Sequence, residues 1–275
     1  VISDSNYGYF DFSQENSYGI YLNLNYTTSG FGLSLEYKDY HNFFIGSGLS
    51  DPSTLVKEHS YRLLNRSTHV TELYDESGVQ AEIFIRPSDK NLITLNYSQA
   101  LNQFGQDIIF KEFFAELNSE INKSSNLEIF GDYSSDELTL EKHRFASGVN
   151  YSHLVNKQKW LLTTEFEFQH VRRNTDFQKS YSNIYGGLII SNSTKFSAVL
   201  IWEFTNDKIK ADLANTDKIE SKRHFPGVNI LYKPTSKHTF QLFAGERRGG
   251  PACTSGICYE ILDFKGIELR ITTRL

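Results

Sequence analysis

The chain has 275 residues, 22% of them charged, and its 28 Lys and Arg against 33 Asp and Glu leave a net charge of −5. That much charge excludes a helical membrane bundle, and acidity with no basic run longer than Arg172-Arg173, Lys222-Arg223 or Arg247-Arg248 argues against a nucleic-acid partner. Aromatic residues at 14% exclude disorder, because so many rings fold around one another.

Taken in chain order, alternation of apolar and polar side chains marks fourteen runs, at 3–12, 16–26, 31–42, 76–86, 91–100, 108–119, 125–134, 138–153, 159–171, 179–191, 194–206, 222–233, 237–248 and 259–275. In the second, Tyr18, Ile20, Leu22, Leu24 and Tyr26 alternate with Gly19, Tyr21, Asn23 and Asn25. Phe31, Leu33, Leu35 and Tyr37 repeat the pattern after Thr27-Thr-Ser-Gly30, so the two read as a hairpin. Later copies place Val79, Ala81, Ile83 and Ile85, then Leu162, Thr164, Phe166 and Phe168, then Phe196, Ala198, Leu200, Trp202 and Phe204 on one face. Helical spacing accounts for none of these.

The connectors alternate in length. Short ones (27–30, 87–90, 120–124, 154–158, 192–193, 234–236) interleave with longer ones at 43–75, 101–107, 172–178, 207–221 and 249–258. Connectors 13–15 and 135–137 are short on the long side, and 56–75 reads as an extension of strands. Tight turns at one end and long loops at the other are the pattern of an outer-membrane barrel, whose strands need only about 9–11 residues each. The longest wholly apolar run, Ala198–Trp202, is far too short for a transmembrane helix, and a mean hydropathy of −0.43 is compatible with strands polar on one face. A soluble sandwich or propeller is the competing reading, but its strands average about five or six residues. The expected fold is therefore all-β, one domain over 1–275, an antiparallel up-and-down transmembrane barrel of about fourteen strands. With no methionine anywhere, the sequence reads as a processed form or fragment, and residues before Val1 would add strands or a periplasmic domain.

At the C-terminus Ile267, Leu269, Ile271 and Leu275 share a parity with Thr273, opposite Gly266, Glu268, Arg270, Thr272 and Arg274. This resembles the terminal strand of bacterial outer-membrane barrels, read by their assembly machinery, with Leu275 where phenylalanine is more usual. The stretch Gly249-Gly-Pro-Ala-Cys-Thr-Ser-Gly-Ile-Cys-Tyr-Glu-Ile-Leu-Asp-Phe264 is similar to the end of porin-like barrels of Bacteroidota-type bacteria. The resemblance covers about thirty residues and implies an outer-membrane location, lipid contact and no particular functional residue.

If the apolar parity faces lipid, the lumen receives Glu36, Glu82, Glu112, Glu116, Glu128, Asp132, Glu165, Glu167, Glu203 and Glu268, with Lys38, Arg86, Lys142, Arg144, Arg223, Arg247, Arg270 and Arg274 as bases. Such charges need water or each other, since Lys or Arg at mid-membrane costs about 2–4 kcal/mol. Lys111 and Glu141 fall on the lipid parity. The lumen is then a hydrated, mildly cation-preferring pathway or a ladder of ion pairs that closes it. Cys253 and Cys258, spaced C-x4-C in an external loop, are expected to form a disulfide.

No catalytic group, cofactor or metal site is read. Ser147 and His143 share one strand face but stand about 13 Å apart, and no HExxH, GxSxG or phosphate loop occurs. A turn at Asn156-Lys157 would set His143 opposite His170. The expected function is passive passage of small hydrophilic solutes; the alternative is a non-conducting barrel that anchors an envelope complex through loops 43–75 and 207–221.

Overall fold

A computed structural model describes residues 18–41, 56–69, 75–102, 108–155, 159–192, 195–208, 223–254 and 257–274, with the backbone alone for 251–260. Thirteen strands form one antiparallel sheet in which each pairs with its sequence neighbours. They are β1 (Tyr18–Thr28), β2 (Phe31–His41), β3 (Asp75–Ser88), β4 (Asn91–Asn102), β5 (Ile108–Asn122), β6 (Ser125–Asp136), β7 (Glu141–Val155), β8 (Trp160–Arg173), β9 (Ser180–Asn192), β10 (Phe196–Thr205), β11 (Arg223–Tyr232), β12 (His238–Arg247) and β15 (Phe264–Thr273). A separate hairpin, β13 (Gly250–Thr254) with β14 (Ile257–Ile261), splits off the start of the last expected run. The expected run at 3–12 lies outside the described residues. So do 42–55 and 70–74, and the single described helical turn, α1 (Arg62–Asn65), stands where a strand extension is expected.

Alternation dictates the two faces. Leu22, Leu24, Tyr37, Val79, Phe113, Ile129, Phe145, Phe166, Leu200, Leu242, Leu269 and their like are exposed on the outer face, where no element among the described residues covers them. The inner face carries Glu76, Asn96, Ser98, Glu112, Asp132, Arg144, Glu167, Gln169, Asn183 and Glu203, all buried. This is a soluble domain's usual arrangement turned inside out.

The sheet curls strongly. Strands lie ~4.8 Å apart, so β3 and β10, seven intervals removed, would be roughly 34 Å apart on a flat sheet. Yet His69 Nε2 lies 3.8 Å from Glu76 on β3, while Arg66, three residues earlier, is ion-paired with Glu203 on β10. Only a wall wrapped around 56–69 satisfies both, which gives the sheet its barrel-like form; among the described residues no pairing joins β15 to β1.

Two expectations of register need correction. The β7 register shifts between Glu141 and His143, so a bulge there carries Glu141 inward and leaves Lys142 exposed on the outside, not in the lumen. Across β7 and β8 the paired positions set His170 opposite Phe145 rather than His143. His143 instead receives or donates a 2.7 Å hydrogen bond with the Tyr133 hydroxyl on the other neighbouring strand.

Candidate functional site

The site is the lumen at the long-loop end, filled by residues 56–69. Its helical turn starts at Tyr61, where Asn65 N donates to the Tyr61 carbonyl at 2.8 Å and Asn65 Nδ2 to the His59 carbonyl at 3.1 Å. A helix start leaves amides without partners. Here the wall supplies the acceptor: Arg62 N and Leu63 N donate to the two carboxylate oxygens of Glu167 at 2.9 and 2.7 Å. At the other end Arg144 Nη1 donates to the Ser67 carbonyl at 2.6 Å, and Gln169 Nε2 to Ser67 Oγ at 3.1 Å.

Apolar contacts seat the same segment. Tyr61 and Leu64 pack with Phe114, Phe130 and Ala146, and Val56 with Ala100 and Phe110. Tyr61 stacks on Phe130 with centroids 3.8 Å apart, and His69 stacks on Phe110 at 4.5 Å. The Phe130 ring lies over Gly148, where a Cβ would collide with that ring and with the Phe166 carbonyl, so glycine is required for the stack.

Charge complementarity completes the fit. Lys57 pairs with Glu82, Arg66 with Glu203, and Arg248, just past β12, meets Glu203 at 2.9 Å. Tyr61 donates to Glu116 at 2.7 Å. His69 Nδ1 is 3.0 Å from Asp136, with Glu76 beyond its other nitrogen, and Glu76 in turn is paired with Lys38. Burial by itself disfavours the His69 imidazolium, but the hydrogen bond to Asp136 and the negative charges of Asp136 and Glu76 outweigh it and push the pKa up to about 9. Burial, then the hydrogen bond to Glu116, raises the Tyr61 hydroxyl above its ordinary range.

Of the residues expected in the lumen, Glu82, Glu112, Glu116, Arg144, Glu167 and Glu203 meet this segment directly. Asp132 lies beside Arg144, and Glu36 accepts from Tyr21 at 2.9 Å. Glu128 and Glu165 sit nearer the turns, accepting from Asn118 at 3.0 Å and Tyr185 at 2.9 Å. Arg86 lines a cavity of about 510 Å³ at the turn end, with Lys90, Asn118, Glu120, Lys123 and Asn126 among its other walls. Glu268 and Arg270 pair with each other at 2.9 Å on the exposed last strand. Lys111, of lipid parity, is exposed near the loop end.

The residues missed from the sequence are those of the segment itself, Lys57, His59, Arg62, Arg66 and His69, and the wall residues Glu76, Asp136, Gln169 and Arg248. A signal existed: 56–69 is basic and carries Val56, Leu63 and Leu64, and it precedes an acid-rich interior. Cys253 stands opposite Cys258 in the β13–β14 register, and their side chains lie outside those described. Of loop 207–221 only Asp207 and Lys208 are described; Asp207 is buried and holds Arg173 through two hydrogen bonds of 2.8 and 2.9 Å.

No curated protein matches the chain. Residues 3–275 match the model of a family of unknown function, DUF6029, and over that span the chain belongs to this family.

Proposed function

We propose that this chain is an outer-membrane β-barrel of Gram-negative bacteria, closed at its loop end by residues 56–69, and that it serves as a non-conducting anchor or scaffold for an envelope complex. The uncovered apolar belt on every strand supports the membrane location, because a surface so apolar is stable only against lipid or another apolar face. The observation that carries the closed state is the seating of 56–69 against wall strands from β3 to β10. Burying Leu63 and Leu64 contributes about 3 kcal/mol towards the seated state, set against the cost of ordering the segment. The loop-end hairpin with Cys253 and Cys258 belongs to the same reading. Opposite antiparallel positions lie about 4.5–5.5 Å apart, within reach of a disulfide in an oxidising envelope.

A second reading is favoured by the polar cavity at the turn end: a pore for small hydrophilic solutes that opens when 56–69 withdraws. Planar bilayers separate the readings. Purified wild-type protein should pass no steady current. Replacing 56–69 by a Gly-Ser linker of equal length should give steady, cation-preferring current if the wall is otherwise open, because Glu82, Glu112 and Glu203 lose their basic partners. Silence in both supports the scaffold and overturns the pore; steady current from the wild type overturns the closed state. Free solubility without detergent would overturn the membrane location, and thiols that alkylate without prior reduction would overturn the disulfide.

A further inference from the structure

Where 56–69 is seated, one cluster of three buried side chains keeps several polar atoms without hydrogen-bond partners. His59 meets Glu112 of β5 and Asp132 of β6, all three buried, with one candidate ligand atom from each lying within 4.8 Å of the other two. His59 Nε2 is 3.2 Å from Glu112 Oε2. Even so, both ring nitrogens of His59, Glu112 Oε2 and Asp132 Oδ2 lack a partner in hydrogen-bonding geometry. The far oxygens are otherwise engaged: Arg144 Nη2 lies 3.1 Å from Glu112 Oε1 and its Nε 3.5 Å from Asp132 Oδ1. Each carboxylate therefore gives one oxygen to the guanidinium and leaves the other unpartnered beside the imidazole.

An unsatisfied buried polar atom costs about 1–3 kcal/mol, so four together are expensive unless something sits among them. A dication fits the charge, since two carboxylates, one guanidinium and a neutral imidazole sum to a single negative charge. It also fits the size. Ligand bonds of about 2.0–2.2 Å set neighbouring ligand atoms roughly 3.0–3.6 Å apart, which the His59–Glu112 pair meets as it stands, and the third ligand atom, within 4.8 Å of both, comes into range by a small side-chain rotation. One imidazole with two carboxylates suits zinc, manganese or ferrous iron better than calcium or magnesium, which favour all-oxygen shells. Arg144 supplies the outer hydrogen bonds that orient ligating carboxylates.

We propose that His59, Glu112 and Asp132 bind a divalent transition-metal ion that staples residues 56–69 to the wall. Only the seated segment brings His59 to the wall carboxylates, so binding and seating are linked: the ion favours the seated state, and chelation loosens it. The site rests on the seating of 56–69 and is independent of whether the barrel conducts.

The test uses the full chain in detergent, stripped with EDTA and titrated with Co²⁺, then with Zn²⁺. One equivalent of Co²⁺ should produce visible d–d bands that Zn²⁺ abolishes. His59→Gln and Asp132→Asn should each weaken binding about 100-fold and remove the bands, while His143→Gln on the outer face leaves both within about twofold. Absence of saturable binding at one equivalent overturns the site, as does binding unchanged in both ligand variants; should one variant misfold, the other and the wild-type titration decide. Because the titration reads no current, its failure leaves the closed-barrel reading intact, and current from the wild type leaves the titration valid.

Discussion

The two halves of the lumen are built from the same strands with the same inward parity, yet they differ. At the loop end Lys38 and Glu76, Arg144 with Glu112, Asp132 and Glu141, and Arg66 and Arg248 with Glu203 form buried ion pairs. Nearer the turns, Glu128 with Asn118, Glu165 with Tyr185, and Ser152 with Thr163 at 3.0 Å are only partly buried, and a cavity opens among polar walls. The wall carries charged and polar side chains in both halves, with Phe110, Phe114 and Phe130 among them, so the wall by itself does not exclude water. What makes the loop half dry is the inserted segment, whose apolar and basic side chains replace solvent against an acidic surface. Filling of the loop half is thus the work of one connector, with the strands supplying its seat.

Substitutions in the two halves should differ in cost, and the largest effect is expected at Arg144. Arg144→Met strips the partner from Glu112, Asp132 and Glu141 at once and should destabilise the fold by about 3–5 kcal/mol in urea unfolding from detergent. A loss below about 1 kcal/mol would mean that the loop half is wet. Next comes pH. His69 has its pKa raised to about 9 in the fold against 6.5 unfolded, so its protonated form favours the seated segment. That contribution, on the order of 3 kcal/mol, is complete below about pH 6.5 and lost as pH rises through about 9. The unfolding midpoint should fall over this window, with Asp136, Glu76 and Lys38 as the surrounding charges, and His69→Gln should flatten the fall; an equal fall in the variant would assign it elsewhere. The smallest effect is expected in the turn half. Glu128→Gln keeps an acceptor for Asn118 in a partly hydrated site and should cost about 1 kcal/mol or less. A loss as large as that of Arg144→Met would erase the distinction between the halves.

Local side-chain alternation was enough to place the strands and their faces. Alternation is local, so Tyr18 to Tyr26 or Phe166 to Phe168 show their parity without reference to any partner, and thirteen of the fourteen expected runs coincide with sheet strands. It did not determine where parity breaks: the bulge that turns Glu141 inward and Lys142 outward is fixed by pairing with β6 and β8, which no local pattern reports. That 56–69 turns inward follows from contacts distant in the chain. Its amides find Glu167, its Arg66 guanidinium Glu203 and its His69 imidazole Asp136, and these acceptors stand on three strands spread over nearly seventy residues of sequence. Curvature of the sheet brings each of them within a few ångströms of the one segment, and curvature is a sum over all the strand pairs rather than a property of any one segment.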